Sequence, residues 1–483
     1  MKEKTFPRRK VFCCLYKVKN KKDIVMQNKV PVEKGKNYEL NIHALGTSGE
    51  GVGRLDGFTI FVRGVLPGET ANVRIMEVKK TYAAGVLVKL LSKSSDRVSP
   101  KCPVYEDCGG CQIQHLSYEA QLREKRRQVY DAVTRIGGFP KSTEVLPTLG
   151  AVYPWNYRNK MQFPVGFVYG RVLIGCFARG SHRIIDTLNC YIQKEGNNEI
   201  AAVMRAAVKE LRIPVYDEDK HRGVLRHVIG RVGEGGKMML VLVTATKELP
   251  RERALVNFLR QRLPNVVSIQ QNIQTYRSNV IMGRETRLLW GSPTIIDRIG
   301  RLKFHISPRS FFQVNSEQAA VLYGKALEYA NLKGEETVID AYCGTGTITL
   351  FLAQKAHRAI GIEIVRPAIE DAKKNARDNS VKNAEFIVGD ASAVMPRLYR
   401  QGVRPDVVVV DPPRAGCTEE VLKTFVHMNP KRIVYVSCNP ATLARDMKLL
   451  HQLGYAPEKI QPVDLFSQTN HVETVVLLSR IKD

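Results

Sequence analysis

Cysteine and carboxylate side chains directly follow apolar runs in the last third of the chain. DVVVVDPPR places Asp411 after a run of valines, and RIVYVSCNP places Cys438 after another apolar run. A cysteine thiolate can add to carbon 6 of a pyrimidine base and thereby turn the unreactive carbon 5 into a nucleophile. A base must then remove the carbon 5 proton, and His471 and Glu473, just before the final apolar run, are both candidates. A lone cysteine after a strand is often only a packed core residue, so the surrounding motifs must decide whether Cys438 is catalytic.

A glycine-rich turn lies between an apolar run and a helical stretch in VIDAYCGTGTITLFLA, residues 338–353. Gly344 and Gly346 allow a sharp turn and let a ligand approach the backbone. The next apolar run carries Glu363, where a doubly wound sheet has a carboxylate for a ribose, and EFIVGD ends in Asp390. The pattern resembles the class I methyltransferase fold, in which S-adenosylmethionine lies across the glycine turn. It predicts a Rossmann-like domain with these strand ends along one crevice; such a domain with another nucleotide is the alternative.

The residue after the Asp-Pro-Pro motif narrows the range of methylation reactions that this chain could catalyse. Methyltransferases that act on amino groups of bases typically carry an aromatic residue there, which stacks on the base, whereas this chain has Arg414. Nitrogen methylation is therefore disfavoured, and carbon 5 of uracil is the favoured target. A cytosine-5 methyltransferase stays open, with Cys417 as the second cysteine that such enzymes use, although Cys417 lacks the expected Pro-Cys setting. A non-catalytic RNA-binding factor in ribosome assembly is the other alternative.

Three closely spaced cysteines indicate a metal site near the middle of the chain. Cys102, Cys108 and Cys111 lie in KCPVYEDCGGCQIQH, and thiolates two residues apart can bind one metal centre. The candidates for a fourth ligand are Cys176, Cys190 and His115. Three close cysteines and a distant one are typical of a [4Fe–4S] cluster, whereas structural zinc commonly shows a second paired half-site. Zinc and buried structural thiols are the alternatives.

The charge of the chain points to a polyanionic partner. The net charge is +27, and it divides into +11 over residues 1–100, +14 over residues 101–304 and +2 over residues 305–483. A basic excess on an ordinary globular composition favours nucleic acid, because neutralising phosphates releases counterions. No apolar run reaches the length of a membrane span, and no secretory signal precedes the ten cysteines. We therefore expect a cytoplasmic protein that binds RNA and does not enter a membrane.

The chain divides into four predicted regions. Residues 1–31 are predicted to be a flexible basic tail, with a start at Met26 as an equally good interpretation. Alternating apolar and polar positions broken by glycines predict an OB-like β-barrel over residues 32–92. Mixed strand-like and helical stretches predict an α+β middle domain over residues 93–304. The Rossmann-like α/β domain then occupies residues 305–483.

The motifs together resemble those of the RNA uracil-5 methyltransferases. The motifs are SPRSFFQVN (307–315), DAYCGTGT (340–347), DPPRAG (411–416), SCNP (437–440) and DLFSQTNHVET (464–474). The predicted barrel resembles a TRAM domain, and the cysteine loop is similar to that of the iron–sulfur members that act on 23S ribosomal RNA. The tRNA-specific branch lacks both features, so the resemblance favours ribosomal RNA.

The resemblance also implies roles for particular residues. Cys438 would be the nucleophile and Glu473 the base. The methyl donor S-adenosylmethionine would be held by Gln313, Tyr342, Glu363 and Asp411, with Thr347 and Asp390 nearby. Gln313 and Asp411 would also contact the edge of the uracil. The [4Fe–4S] cluster would be held by Cys102, Cys108, Cys111 and Cys190, and the enzyme is expected to be a monomer.

Overall fold

The computed structural model describes residues 30–481. The predicted basic tail, residues 1–31, therefore lies almost entirely outside the described residues. Within residues 30–481, no helix is long and apolar enough to span a membrane.

Five strands close into a barrel at the beginning of the described chain. They are β1 (Asn37–Leu45), β2 (Gly51–Leu55), β3 (Phe58–Arg63), β4 (Thr70–Val78) and β5 (Tyr82–Ser92). The order is β1-β2-β3-β5-β4, and β4 pairs with β1 to complete the closure. Leu40 and Ile42 point inward from β1, and Val73 and Ile75 from β4, because side chains alternate along a strand. This closed barrel confirms the predicted OB-like module.

A mixed sheet and three helices form the middle region. The strands are β6 (Lys160–Val168), β7 (Arg171–Phe177), β8 (Ile184–Asp186), β9 (Leu225–Val232), β10 (Met238–Thr244), β11 (Val266–Ile273) and β12 (Glu285–Gly291). The helices are α1 (Tyr118–Arg135), α2 (Glu195–Glu210) and α3 (Glu252–Arg262). Helices α2 and α3 cover one face of the sheet, where Met161, Ile200 and Leu259 are buried. The other face, including Ile229 and Val241, packs on the C-terminal domain.

The C-terminal domain is a doubly wound sheet preceded by a hairpin. The hairpin is β13 (Ile295–Ile299) and β14 (Leu302–Ile306). The sheet strands are β15 (Thr337–Asp340), β16 (Arg358–Glu363), β17 (Ala384–Val388), β18 (Val407–Val410), β19 (Arg432–Ser437), β20 (Tyr455–Val463) and β21 (Glu473–Arg480). The helices are α4 (Ser316–Ala330), α5 (Thr347–Ala353), α6 (Arg366–Asp378), α7 (Ala391–Arg400), α8 (Glu419–His427) and α9 (Pro440–Gln452).

The strand order is β17-β16-β15-β18-β19-β21-β20, and the first five strands are parallel. Every residue of β18 is buried, which is typical of a parallel strand covered by helices on both faces. The predicted Rossmann-like α/β domain is confirmed. The predicted boundary after residue 304 falls inside β14, because the sequence reading did not detect this hairpin, which packs against α4 and α6.

Helix α1 connects the middle region to the C-terminal domain. The sequence predicts this helix over residues 117–138, and the structure has it from Tyr118 to Arg135, with no side-chain cap from Ser117. It packs against α9, and the side chain of Lys125 is buried although the sequence looks uniformly charged. Helix α1 therefore has a buried face that could not be predicted from its charge pattern.

Candidate active site

The predicted crevice lies at the carboxyl ends of the parallel strands. Asp340 and Glu363 are the last residues of β15 and β16. Asp411 directly follows β18, Cys438 directly follows β19, and Asp390 lies two residues after β17. Because the five strands are parallel, these residues lie along the same edge of the sheet.

The glycine-rich turn leaves its backbone open to a ligand. Gly344 has φ +52°, and nothing lies within 4 Å of the position where a Cβ would be. Gly346 has φ +82°, and a Cβ there would lie 2.9 Å from the ring of Phe386. Helix α5 begins at Thr347, so its unpaired N–H groups also face this turn. The turn forms a cradle that accepts polar groups.

Glu363 is held in place by backbone donors. Its carboxylate accepts hydrogen bonds from the N–H of Gly344 at 3.2 Å and the N–H of Val365 at 2.9 Å. Its remaining lone pairs can accept hydroxyl protons. The next residue, Ile364, is 64% exposed and offers an apolar surface beside the carboxylate. The sequence reading did not single out Ile364, whose signal is an exposed apolar side chain after an acidic strand end.

Asp340 lies beneath the glycine turn and is fully buried. One carboxylate oxygen accepts a hydrogen bond from Thr349 Oγ1 at 2.7 Å, and the other has no partner among the described residues. Burial outweighs the hydrogen bond and raises the pKa of Asp340 to about 6. The sequence reading used Asp340 only to mark the strand end.

Three predicted donor-binding residues have local roles in this structure. Asp390 caps α7 and accepts a hydrogen bond from the N–H of Ser392 at 2.8 Å. Tyr342 is half-buried and contacts the thiol of Cys417. Thr347 is the first residue of α5. The structure places all three near the glycine turn, and their contacts with a donor stay predictions.

Three reactive groups in the crevice, Cys438, Asp411 and Glu473, influence one another strongly. Burial, followed by the charge of Asp411, raises the pKa of Glu473 to about 8, and Arg414 partly opposes this. Burial, followed by the charges of Glu473 and Asp411, raises the pKa of the Cys438 thiol to about 11. Burial and the charge of Asp340 raise the pKa of Asp411 to about 7. The crevice therefore contains a thiol and two carboxyl groups whose charged forms are disfavoured.

The two candidate bases differ in their surroundings. Glu473 is the first residue of β21 and is 5% exposed. His471 is exposed, and its ring lies edge-on to Phe466 at 6.1 Å. Both lie near Cys438, but the charge of Glu473 acts directly on the thiol.

Gln313 is buried behind the crevice, beside Tyr323. Burial and the charge of Asp411 hold the pKa of Tyr323 well above its ordinary value, and Glu473 adds to the effect. Tyr323 therefore lies beneath both carboxyl groups. The sequence reading missed Tyr323, because an aromatic residue in an amphipathic helix looks like ordinary core.

Two clefts meet in front of Cys438. The smaller one, about 410 Å³, is lined by Cys438, Arg414 and Arg135. The larger one, about 850 Å³, is lined by basic side chains and by parts of the barrel and the middle region. Its charged side chains are Arg63, Arg179 and Glu50, and burial lowers the pKa of His227 to about 4, so this imidazole is neutral near pH 7. Both clefts share Thr47, Asn470 and His471, so the surface that carries Arg63 and Arg179 leads to the thiol.

Two stretches of the chain match known families. Residues 31–88 match the TRAM domain, and residues 294–481 match the family described as tRNA (Uracil-5-)-methyltransferase. A Clostridium tetani protein described as an RNA methyltransferase is 50% identical over 459 residues, which cover 95% of this chain and 99% of that protein. A second such protein, from Halalkalibacterium halodurans, is 51% identical over 453 residues, covering 94% and 99%. The chain belongs to the RNA uracil-5 methyltransferase family.

A solved structure supports the cofactor of this uracil-5 methyltransferase. The Pyrococcus abyssi tRNA (uracil-54, C5)-methyltransferase in complex with S-adenosyl-L-homocysteine has a TM-score of 0.72 and 30% sequence identity. The match covers 91% of this chain and 100% of that one. This chain is therefore an S-adenosylmethionine-dependent RNA methyltransferase, and its recognition from motifs is confirmed.

The structure brings the candidate cluster cysteines of this RNA methyltransferase into one neighbourhood. Cys102, Cys111 and Cys190 pack around Tyr157 and Ile192. Burial is the main cause that raises the pKa of Cys111 to about 12, and the charges of the Cys190, Cys108 and Cys102 thiols add to it. No three His, Cys, Asp or Glu side chains within residues 30–481 are placed to hold a single metal ion.

Cys176 and His115, the other candidate ligands, also lie near this group. Cys176 contacts Cys108 and lines the larger cleft, although its sequence context looks like packed core. His115 Nδ1 lies 2.6 Å from the Tyr105 hydroxyl, and its buried Nε2 has no partner among residues 30–481. The choice of fourth ligand therefore stays a prediction.

Cys417 does not share the crevice with Cys438. It is 4% exposed, and its N–H donates to Asp446 Oδ2 at 2.8 Å. The Tyr435 hydroxyl lies 3.7 Å from its sulfur. The charges that act on the Cys417 thiol come from Asp446 and Arg445, so this cysteine belongs to the core of the domain.

Proposed function

We propose that this enzyme methylates carbon 5 of uridine in RNA through a covalent bond between Cys438 and carbon 6. The observation that carries the proposal is the meeting of Cys438, Asp411 and Glu473 in one buried crevice. A nucleophile and a base that removes a carbon-bound proton are the two groups that the reaction requires.

The proposed reaction has three balanced steps. The Cys438 thiol first gives up its proton to solvent, and it regains one when carbon 6 releases the sulfur at the end of the reaction. The thiolate bonds to carbon 6, and the π electrons of the 5,6 double bond move through carbon 5 toward oxygen 4. Carbon 5 takes the methyl group, and S-adenosylhomocysteine leaves with the electron pair of the broken sulfur–carbon bond. Glu473 takes the carbon 5 proton, the double bond re-forms, and carbon 6 releases the thiolate. The net products are 5-methyluridine, S-adenosylhomocysteine and one proton.

The surroundings of the two carboxyl groups suit their proposed roles. A base works best when its pKa lies near the operating pH, and the pKa of Glu473 is raised to about 8. The pKa of Asp411 is raised to about 7, so near neutrality this carboxyl group can donate a proton to the enolate-like oxygen of the uracil. Gln313, beside Tyr323, would contact the same edge.

The glycine-turn cradle fits the methyl donor, S-adenosylmethionine, which supplies the methyl group. Glu363 would accept hydrogen bonds from the ribose hydroxyls, and exposed Ile364 would contact the adenine. The open face of Gly344 leaves room for polar groups of the donor. Tyr342, Asp411, Thr347 and Asp390 would complete the site.

The basic clefts are proposed to guide the RNA to Cys438. Lys160 and Arg231 face each other across β6 and β9, and Arg231 donates to the carbonyl of Ser310 at 2.6 Å. Burial, with the charges of Arg231 and Arg158, lowers the pKa of Lys160 to about 7. Lys160 lines neither cleft and Arg231 is 3% exposed, so of this pair only the half-buried Lys160 is proposed as a further phosphate contact. The barrel (32–92) and middle domain (93–304) would thus capture RNA for the C-terminal domain (305–483).

We propose 23S ribosomal RNA as the substrate, on the similarity of the cysteine loop to members that act on it. The barrel alone does not favour ribosomal RNA, because an enzyme named for tRNA matches 91% of this chain. In vitro methylation of deproteinised 23S RNA and of total tRNA, both lacking 5-methyluridine, tests the choice. Labelling of tRNA alone would overturn it.

We further propose a [4Fe–4S] cluster on Cys102, Cys108, Cys111 and Cys190. The support is the gathering of three thiols around Cys111, and no step of the reaction uses the cluster. Anaerobically purified protein is expected to hold about four iron and four sulfide ions. Cys190→Ala is expected to lose them, and Cys176→Ala, the matched control, is expected to keep them. Stoichiometric zinc, or iron retained in Cys190→Ala, would contradict this assignment.

The covalent mechanism is tested with RNA that contains 5-fluorouridine. Fluorine replaces the proton that Glu473 would remove, so the wild-type enzyme should remain bound to the RNA after denaturation. Cys438→Ala should form no such adduct and should transfer no methyl group. Full methyl transfer by Cys438→Ala would exclude the mechanism.

Two alternatives predict different outcomes in the same assay. A cytosine-5 methyltransferase would form an adduct with 5-fluorocytidine RNA instead, but Cys417 is buried away from Cys438. A non-catalytic assembly factor would bind RNA and transfer no methyl group to any RNA.

A further inference from the structure

Helix α1 holds the loop that leads to Glu473. The loop, residues 464–472, connects β20 to β21, and Glu473 is the first residue of β21. Lys125 Nζ donates to Asp464 Oδ1 at 2.5 Å, and both side chains are almost completely buried. Lys125 also donates to the carbonyl of Phe466 at 3.1 Å. One buried cation therefore fixes two positions of the loop.

The carboxylate of Asp464 is fully occupied by partners. Besides Lys125, it accepts hydrogen bonds from the Tyr118 hydroxyl at 2.7 Å and from Ser467 Oγ at 2.6 Å. Tyr118 and Lys125 lie seven residues apart on α1, so they project from the same face of the helix. Asp464 therefore connects the helix to its own loop.

A second connection joins α1 to the middle of the loop. Gln121 and Gln468 form a reciprocal pair: the Gln121 amide donates to Gln468 Oε1, and the Gln468 N–H donates to Gln121 Oε1, both at 3.0 Å. Gln468 has φ +70°, a conformation that non-glycine residues rarely adopt. The pair holds the backbone in this unfavourable conformation.

Other regions contact the same loop. The N–H groups of Gln112 and Ile113, in the cysteine loop, each donate to the carbonyl of Gln468 at 3.2 Å. Asn470 donates to the carbonyl of Thr47 in the barrel. The position of the loop is therefore set by contacts from outside the C-terminal domain.

We infer that Lys125 and Gln121 are positioning residues that place Glu473 for removal of the carbon 5 proton. The inference rests on the proposed function. A base must lie within hydrogen-bond reach of the proton that it takes, and small displacements reduce rates strongly. Cys438 follows β19 and not the loop, so loosening the loop should slow proton removal and leave the addition of the thiolate unchanged.

The test uses two variants that leave no single buried charge. Gln121→Ala removes the amide pair, and the double variant Lys125→Met/Asp464→Leu replaces the ion pair by apolar side chains. In each we expect kcat to fall at least tenfold, with a smaller change in KM, because Asn470 and His471 of the same loop line both clefts. The adduct with unmodified RNA and S-adenosylmethionine should accumulate, because it forms normally and resolves slowly. The rate of adduct formation with 5-fluorouridine RNA should stay within twofold.

Gln271→Ala is the matched control. Gln271 is as buried as Gln121 and also makes several hydrogen bonds, to Thr244, Thr246 and Lys247, but it lies in the middle sheet. It should show wild-type kcat and no accumulated adduct, even if its thermal stability falls as much as that of Gln121→Ala.

Three results would overturn the inference. They are wild-type kcat in both loop variants, equal losses with 5-fluorouridine RNA, or loss of activity without accumulated adduct. If the double variant does not fold, Gln121→Ala decides alone. Failure of the wild-type enzyme to form any adduct would instead reject the proposed function, so the two failures are distinguishable.

Discussion

Two buried acidic residues at the ends of one loop differ in almost every contact. Asp464 opens the loop and is paired with Lys125, Tyr118 and Ser467. Glu473 closes it, and among residues 30–481 no cation lies within ion-pair distance of its carboxylate. Burial is nearly the same for both, so the partners make the difference. The paired acid fixes structure, and the unpaired one keeps a raised pKa that suits proton transfer.

The comparison shows how this enzyme can hold a destabilised group in place. A buried carboxyl group without a counterion costs stability once it is ionised. The contacts of Asp464 and Gln468 offset that cost nearby, and they come from helix α1, the cysteine loop and the loop itself. The predictions below test this division of roles.

Replacing the unpaired acid should have the largest effect. Glu473→Gln keeps the shape of the side chain and removes the base, so we expect kcat to fall by about 10²–10⁴-fold. Adducts with unmodified RNA should accumulate, and methyl transfer assays with denaturing gels measure both effects. A kcat within tenfold of wild type would point to His471 as the base, and His471→Gln is the control.

Replacing the paired acid should affect stability more than chemistry. Asp464→Asn leaves the Lys125 ammonium group buried without a counterion, and we expect the free energy of unfolding to fall by about 3–5 kcal/mol. Urea unfolding of the two proteins measures the change. The double variant Lys125→Met/Asp464→Leu should recover most of it, and equal losses in both would mean that the charge is not the cause.

The difference in stability between Glu473→Gln and the wild-type enzyme should depend on pH. In the folded protein the pKa of Glu473 is raised to about 8, so the unfolded chain releases this proton at lower pH. The stability contributed by the protonated group is complete below about pH 4.5 and is lost as the pH rises through 8. The variant lacks this loss, so its melting temperature should exceed that of wild type by about 2–5 °C at pH 8 and match it near pH 5. A difference independent of pH would contradict the assignment.

The smallest expected effect is a change in the pKa of the Cys438 thiol. Burial is the main cause of the raised pKa of Cys438, and the charge of Glu473 is the next. Glu473→Gln should therefore lower the pKa of Cys438 by about one unit or less, which leaves it above the ordinary value. Iodoacetamide labelling of the Cys438 peptide between pH 7 and 10, followed by mass spectrometry, measures the shift. The buried Cys417 peptide is the internal control.

Much of the crevice follows from local sequence. The ends of parallel strands share one edge of a doubly wound sheet, so apolar runs followed by Glu363, Asp411 and Cys438 predict that these residues share a crevice. The barrel also follows from alternating side chains and glycine turns. The hairpin at the start of the C-terminal domain could not be predicted from the sequence. Its two short strands have too few residues to show an alternation of apolar and polar side chains.

Contacts between distant segments of the chain could not be predicted from the sequence. Lys125 lies in a helix that reads as charged and exposed, and its partner Asp464 is 339 residues away along the chain. Tyr323 looks like a core aromatic until the fold places it beneath Asp411 and Glu473. The choice between His471 and Glu473 has the same character, because burial depends on what the rest of the chain packs around the loop.

The sequence by itself predicted the methyltransferase family, the Rossmann-like domain and the candidate reactive groups, because residue types and strand ends are local properties. Only the tertiary structure decided which acid is paired and which is not. Burial and charge pairing are set by side chains that meet across hundreds of residues, and these two quantities control the pKa values on which the chemistry depends.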